Sequence, residues 1–476
     1  MRLSLSGASG LVLRFLALLC AASTAAPAQH QDPERVAARL IAEEMVSSGA
    51  FRKLAWLTDR IGPRLSGTPQ AEQAVTWAIE EFRRDGMSGV RAEKVMVPRW
   101  ERGTAEVAIV SPVSQPLATL ALGMSVPTPP EGITAEVVEA DSFDALHALG
   151  ERVRGRIVLF NKATRPDPHG TGYGENGSLR YRGPSEAAKQ GAVAMLIRSL
   201  GTLQARLPHT GALGYLEDVP RIPAAAIAAE DAELIHRLLH GGETVRVQVR
   251  LGCRTHPDVE SANVVAELRG RSLPDEIVVI GAHLDSWDVG TGAVDDGAGV
   301  AVTMEALRLL KSLGLRPRRT IRAVLFMNEE NGVRGGKAYA ADHEDELLRH
   351  VAAIESDSGA GRPLGFSVTA GDGGVEAVRD LARPLAGLGA GDVKAGGGGT
   401  DIAPMQPAGV PVIGLRQDMT RYFDWHHTEA DTLDKVDPTE LAHNAVAMAF
   451  MAWALAEREA PLPRVPPAAT ASPPAH

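Results

Sequence analysis

Apolar and polar positions along this chain repeat with two periods. Residues 33–46 and 51–60 carry apolar residues at helical spacing, with Pro33 at a first helical position. Ala71, Ala74, Val75, Ala78, Ile79 and Phe82 fall on one face of a further helix, a stripe that reads as core. Strand-like runs follow at 90–97, 105–110, 156–160, 192–197 and 244–249, with helical patterns at 143–149, 185–189 and 231–239. The stretch 166–182, rich in Gly, Pro and Asn, predicts a long exposed loop. From Ser261 onward strands are expected at 262–268, 276–280, 320–327, 352–354 and 410–415, and helices at 297–313 and 438–457. Strands alternating with helices predict an α/β fold with a largely parallel central sheet.

A length of 476 residues exceeds one compact core. The pattern divides it into a leader (1–28), an N-terminal arm or propeptide (29–48), a first α/β part (49–100), an inserted domain (101–254), a second α/β part (255–460) and a Pro/Ala-rich disordered tail (461–476). Arg2 and Arg14, an apolar run to Ala22 and the cleavage-site pattern Ala26-Pro27-Ala28 predict export by a cleavable signal peptide. That apolar run is well short of the roughly 20 residues that span a bilayer, so no stable membrane insertion is expected. A net charge of -10 argues against a nucleic-acid partner. Of the two cysteines only Cys253 lies beyond the leader, and a lone cysteine closes no internal disulfide.

The chemistry lies at strand ends. Ile277-Val278-Val279-Ile280 leads through Gly281 to His283 and Asp285, two residues apart on one side of an extended chain. A Gly-rich turn then brings Asp295 and Asp296, just ahead of the 297–313 helix. Glu329 and Glu330 follow the next strand, Glu355-Ser356-Asp357 another, and His426-His427-Thr428 with Asp431-Thr432 the last. Any one of these could be a helix cap or a solvated turn. Four in one series converge, because neighbouring strand ends share the crevice where ligands bind. Imidazole with carboxylate is a zinc-binding composition. His169 and His209 are isolated and read as surface or loop histidines; alternation would point His426 away from His427. Gly396–Gly399 lacks the Lys-Ser or Lys-Thr of a phosphate loop and is expected to line a substrate cleft, while Tyr422, Phe423 and Trp425 could shape a side-chain pocket. No Gly-x-Ser-x-Gly elbow is present.

In this order the motifs resemble those of the zinc-dependent exopeptidases of the M28 type, and most closely the carboxypeptidase Q (plasma glutamate carboxypeptidase-like) branch. The resemblance rests on His283-Leu284-Asp285-Ser286-Trp287-Asp288-Val289-Gly290, Asp295-Asp296-Gly297, Glu329-Glu330, Glu355-Ser356-Asp357 and His427-Thr428 with Asp431-Thr432. It implies a zinc-exopeptidase fold with a protease-associated-like insert, two zinc ions per chain and a cis peptide between Asp295 and Asp296. Asp295 would bridge the ions, with His283 and Asp357 on one and Glu330 and His427 on the other. Glu329 would be the general acid/base and Asp285 would orient His283. The substrates implied are dipeptides or the ends of short peptides, cut to release free amino acids, by a homodimer. An aminopeptidase acting on longer peptides, or a single-zinc acyltransferase of the glutaminyl cyclase kind, would share the scaffold.

Overall fold

The computed structural model describes residues 32–466, so the expected leader and the residues after 466 lie outside the described part. α1 (Pro33–Ser47) starts on its proline and buries Val36, Ala37 and Leu40. α2 (Ala50–Trp56) follows, then α3 (Pro69–Arg84), capped by the Thr68 hydroxyl, which accepts from the Ala71 N–H. α3 buries Ala71, Ala74, Val75, Ala78 and Phe82, the face that the spacing predicts.

β1 (Ser88–Glu101) opens the main sheet, and the chain then leaves it to build a second one. That excursion runs β2 (Ala105–Ser111), β3 (Gln115–Leu117), β4 (Thr119–Ala121), β5 (Ile133–Ala140), α4 (Phe143–Leu149), β6 (Ile157–Phe160), α5 (Thr171–Lys189), β7 (Ala194–Arg198), β8 (Ala224–Ile227), α6 (Ala229–His240) and β9 (Arg246–Leu251). The chain returns as β10 (Arg254–Leu268), β11 (Leu273–His283), α7 (Ala298–Ser312), β12 (Arg319–Phe326), α8 (Arg334–Asp342), β13 (His350–Glu355), β14 (Pro363–Thr369), α9 (Gly374–Ala382), β15 (Asp392–Ala395), β16 (Val412–Gln417), α10 (Tyr422–Trp425) and α11 (Pro438–Glu457).

Among the described residues the strands form two eight-stranded sheets, ordered β1-β10-β12-β11-β13-β16-β14-β15 and β3-β2-β9-β5-β6-β7-β8-β4. The centre of the first, β12-β11-β13-β16, is parallel, and both edges carry antiparallel pairs. The central strands need no polar face, because both faces are covered. On β11, Val278, Ile280 and Ala282 enter one core with α7 and α11, while Ile277 and Val279 enter the opposite core beside Tyr339 and Met405. α11 is apolar on nearly every side and packs against α1 and α7. The second sheet has cores of its own: Ile157 and Leu159 face one, Val158 and Phe160 the other.

Two expectations fail. Residues 166–182 are not a loop: most of that stretch lies in α5, which also takes in 185–189. Tertiary contact outweighs composition there. Asn176, Leu179 and Gly183 are buried, a Cβ on Gly183 would press on the Phe160 ring at 2.9 Å, and the Asp167 carboxylate accepts from the Thr171 hydroxyl and the Gly172 N–H. The tail is not loose where it begins. Leu462 is buried, and the Arg464 guanidinium donates to the carbonyls of Leu347, Leu348, His350 and Ala408.

Candidate active site

The parallel register sets the site. His283 on β11 pairs with Phe326 on β12, and on the other side Gly281 pairs with Glu355 on β13. The three strands end at one level, so His283, Asn328-Glu329-Glu330 and Ser356-Asp357 leave the sheet together. The loops after β16 add His426 and His427, and the Ala293–Gly297 turn before α7 adds Asp295. The Asp295–Asp296 peptide is cis.

Asp295 divides its two oxygens. Its Oδ1 lies 3.2 Å from His283 Nε2, and Asp357 Oδ1 lies 3.6 Å from the same nitrogen. Its Oδ2 lies 3.1 Å from His427 Nε2, which in turn lies 3.0 Å from Glu330 Oε2. Two clusters therefore share one carboxylate. Each imidazole has its other nitrogen engaged: His283 Nδ1 meets the Asp285 carbonyl at 3.0 Å and His427 Nδ1 meets the Thr210 carbonyl at 3.3 Å. A carbonyl only accepts, so those nitrogens carry protons. In the neutral ring the Nε2 lone pair then faces carboxylate oxygens, which is tolerable only with a cation or a proton between them. Asp295 Oδ2 is buried between two imidazoles, 3.1 Å from His427 Nε2 and 3.2 Å from His426 Nε2.

The electrostatics agree. Burial and then the neighbouring carboxylates push Glu330 up to about 7 and hold Glu329 and Asp357 above the ordinary carboxylate range. Burial alone would raise Asp295 too, but His426, His283 and His427 around it hold it well below that range. Burial disfavours the charged form of His283 and of His427; their carboxylate partners outweigh it and hold both imidazoles well above the ordinary value. Without a metal, protons fill the gap; a divalent cation would replace them. The donor set fits zinc.

Buried groups that never face the cleft hold the loops. Asp285 was expected to orient His283. Its backbone carbonyl does so, while its carboxylate lies 3.8 Å from the ring and accepts instead from the Asn328 and Glu329 N–H groups. That fixes the turn carrying both glutamates. The Asp431 carboxylate accepts from the N–H groups of Ala293, Val294 and Asp295. Arg64, fully buried, donates to the carbonyls of Leu284, Thr291 and Gly292. Gly396–Gly399 does not line the cleft; Gly399 backs onto Glu355, which accepts from the N–H groups of Asp401 and Ile402.

Two readings of the histidines change. His427 has φ +59°, a left-handed conformation that breaks strand alternation, so the rings of His426 and His427 stack at 3.6 Å instead of pointing apart. His209 is neither exposed nor isolated: it is buried, with Nε2 3.1 Å from His426 Nδ1. Its own Nδ1 has no partner. A buried unpartnered N–H costs more than an unpartnered lone pair, so the proton sits on His209 Nε2 and is donated to His426. The His426 proton is then on Nε2, 3.2 Å from Asp295 Oδ2. Spacing alone could not find His209, which comes from the second sheet. That unit also supplies Tyr173 and Arg180 to a cleft of about 470 Å³ lined on the other side by Glu329, Asp357 and Phe423. Tyr173 stacks on Phe423 at 4.2 Å.

Comparison with known proteins follows this geometry. A family model described as Peptidase family M28 matches residues 263–452. Carboxypeptidase Q of Mus musculus is 38% identical over 92% of this chain and 92% of its own length. Aminopeptidase YwaD of Bacillus subtilis is 25% identical over 90% of each chain. A solved peptidase M28 precursor from Shewanella amazonensis superposes with a TM-score of 0.88 at 42% identity, covering 92% of this chain and 99% of that one. Likeness of this degree along nine-tenths of both partners is common descent, and the chain belongs to peptidase family M28, whose members are zinc-dependent metallo-exopeptidases.

Proposed function

We propose that this enzyme holds two zinc ions and hydrolyses dipeptides, or the terminal bond of short peptides, to free amino acids. The observation that carries the reading is the division of Asp295, one oxygen toward His283 and Asp357 and the other toward His427 and Glu330. Those five residues would hold the ions with Asp295 between them. Bound zinc would lower the pKa of a water and polarise the scissile carbonyl. Glu329 makes neither cluster contact, yet lines the same cleft beside Glu330. Its burial among carboxylates raises its proton affinity, as suits a group that takes a proton from water and passes it to the departing amine. Asp285 serves by holding the Asn328–Glu329 backbone rather than by touching substrate. The cleft volume of about 470 Å³ suits a peptide of a few residues at most. Export is part of the proposal, supported by the leader pattern in residues 1–28; among the described residues no helix is long and apolar enough to cross a membrane.

The test is Glu329→Gln. Turnover of a dipeptide panel should fall by about two to four orders of magnitude, with zinc per chain unchanged from the wild type. A variant that keeps normal turnover removes Glu329 from the mechanism. One zinc per chain in the active wild-type enzyme removes the paired-ion reading.

A further inference from the structure

The second sheet carries its own group of metal-ligating side chains, on the face away from α5. α6 packs Ala232 and Ile235 into the core that Ile157 and Leu159 enter, whereas α5 packs Leu179 into the core of Val158 and Phe160. The cleft takes its Tyr173, Arg180 and Tyr181 from α5, so a group on α6 stands apart from it.

His236 and His240 are four residues apart in the last turns of α6, so both rings lie on one face of the helix. Their centroids are 4.1 Å apart. Glu139, next to last in β5, faces both rings: its Oε2 lies 2.9 Å from His236 Nδ1 and 3.5 Å from His240 Nε2. The edge of a zinc tetrahedron with bonds near 2.1 Å is about 3.4 Å, so these separations are close to ligand spacing before any ion binds. All three donor atoms lie within 4.8 Å of one another. A plain hydrogen bond accounts for His236 but not for His240, whose contact is past ordinary hydrogen-bond length.

The carboxylate is also pre-set. Asn161 Nδ2 donates to Glu139 Oε1 at 2.6 Å, and Asn161 Oδ1 accepts from the buried Arg198 at 3.1 Å. Outer hydrogen bonds of this kind orient a metal-binding carboxylate, and this one leaves Oε2 to the imidazoles. Among the described residues no lysine or arginine pairs with Glu139; its ionic partners are the two histidines. The negative end of the α6 dipole favours a cation at the same place. The rings are 41% and 67% exposed, so an ion reaches them directly from solvent.

We propose that Glu139 Oε2, His236 Nδ1 and His240 Nε2 bind one divalent ion of the zinc class, separate from the active-site centre. Two imidazoles with one carboxylate suit Zn2+, Ni2+ or Cu2+ and not Mg2+ or Ca2+, which take oxygen ligands. Three protein donors leave a fourth position to water. The bound ion ties the last turn of α6 to the end of β5. This site stands or falls independently of the hydrolytic reading.

The experiment titrates full-length protein with Zn2+ after dialysis at low free zinc, and counts ions per chain. The wild type should take up one further ion beyond those that survive dialysis, and excess Mg2+ or Ca2+ should not displace it. His240→Ala and Glu139→Gln should each weaken that uptake on the order of 100-fold, with melting temperatures near that of the wild type. Dipeptide turnover in His240→Ala should match the wild type. His283→Ala, altered in the cleft, should still take up the further ion. Absence of the ion from the wild type, or equal uptake by the wild type and both site variants, would overturn the proposal and leave only a His236–Glu139 hydrogen bond. Loss of the ion in His283→Ala with its retention in His240→Ala would place it in the cleft and overturn the proposal as well.

Discussion

Arg64 donates to three carbonyls, one at the end of β11 and two in the turn before Asp295. Its charge also faces Asp431, Asp285 and Asp296. Arg64→Met would leave those carbonyls and carboxylates buried without their cation, so unfolding free energy should drop by about 3 kcal/mol. Denaturant melts of the variant and the wild type read this, and a loss under about 1 kcal/mol would mean the turn holds itself. The contrast with His283 and His427 shows what a sequence can disclose. Imidazole and carboxylate at successive strand ends mark a metal-type composition in the sequence alone, whereas the separate roles of His283, His427 and Glu329 are implied by the family resemblance. Arg64, His209 and Arg180 carry no such mark, because an arginine or histidine at a site made by distant segments looks like any other until the chain folds. His426 departs from strand alternation for a smaller reason: one positive φ at His427 reverses the side on which a neighbour lies.

Strands were legible and one helix was not. A β-branched run such as Ile277–Ile280 can only be buried on both faces, and it is. α5 contains Gly172, Gly174, Gly177, Gly183 and Pro184, and its helicity comes from packing on Phe160 that no local pattern reports. Short edge strands such as β15 carry too few apolar residues to register. Elements also meet through a buried polar network beside the start of β12, where His350 at the start of β13 accepts from the Tyr339 hydroxyl and donates to the Glu346 carbonyl. Burial, with the Arg322 charge, pushes its imidazole down to about 4. Between its usual value near 6.5 and about 4 the unfolded chain takes up a proton that the folded chain refuses. Stability should therefore fall as pH drops through that window, with about 3 kcal/mol as the upper size of this one contribution. Replacing His350 with Gln should flatten the difference between unfolding free energies at pH 7 and pH 4. An unchanged acid loss in that variant would assign the effect to other groups.

The whole molecule gathers a buried excess of carboxylate at one edge of its main sheet, and that excess links folding to metal. On the proposed function, divalent cations would bind the assembled site and not the open chain, so stripping them should lower the unfolding temperature. Adding zinc back at about 100 times its Kd should return about 2.7 kcal/mol of stability. A melting curve indifferent to chelation and zinc would mean that the carboxylates are neutralised by protons alone.

The excursion between β1 and β10 begins and ends on two strands that run antiparallel side by side, Glu101 opposite Arg254 and Val95 opposite Ser261. Its two ends are thereby stapled at one spot on the sheet. What is threaded between them supplies Tyr173 and Arg180 to the cleft and His209 to His426, and its Thr210 carbonyl holds His427 Nδ1 at 3.3 Å, so a change in the excursion reaches the cleft wall and one imidazole of the main sheet's loops together. Swapping the excursion at that one seam is therefore expected to alter the mouth of the cleft and the seating of His427 in a single step.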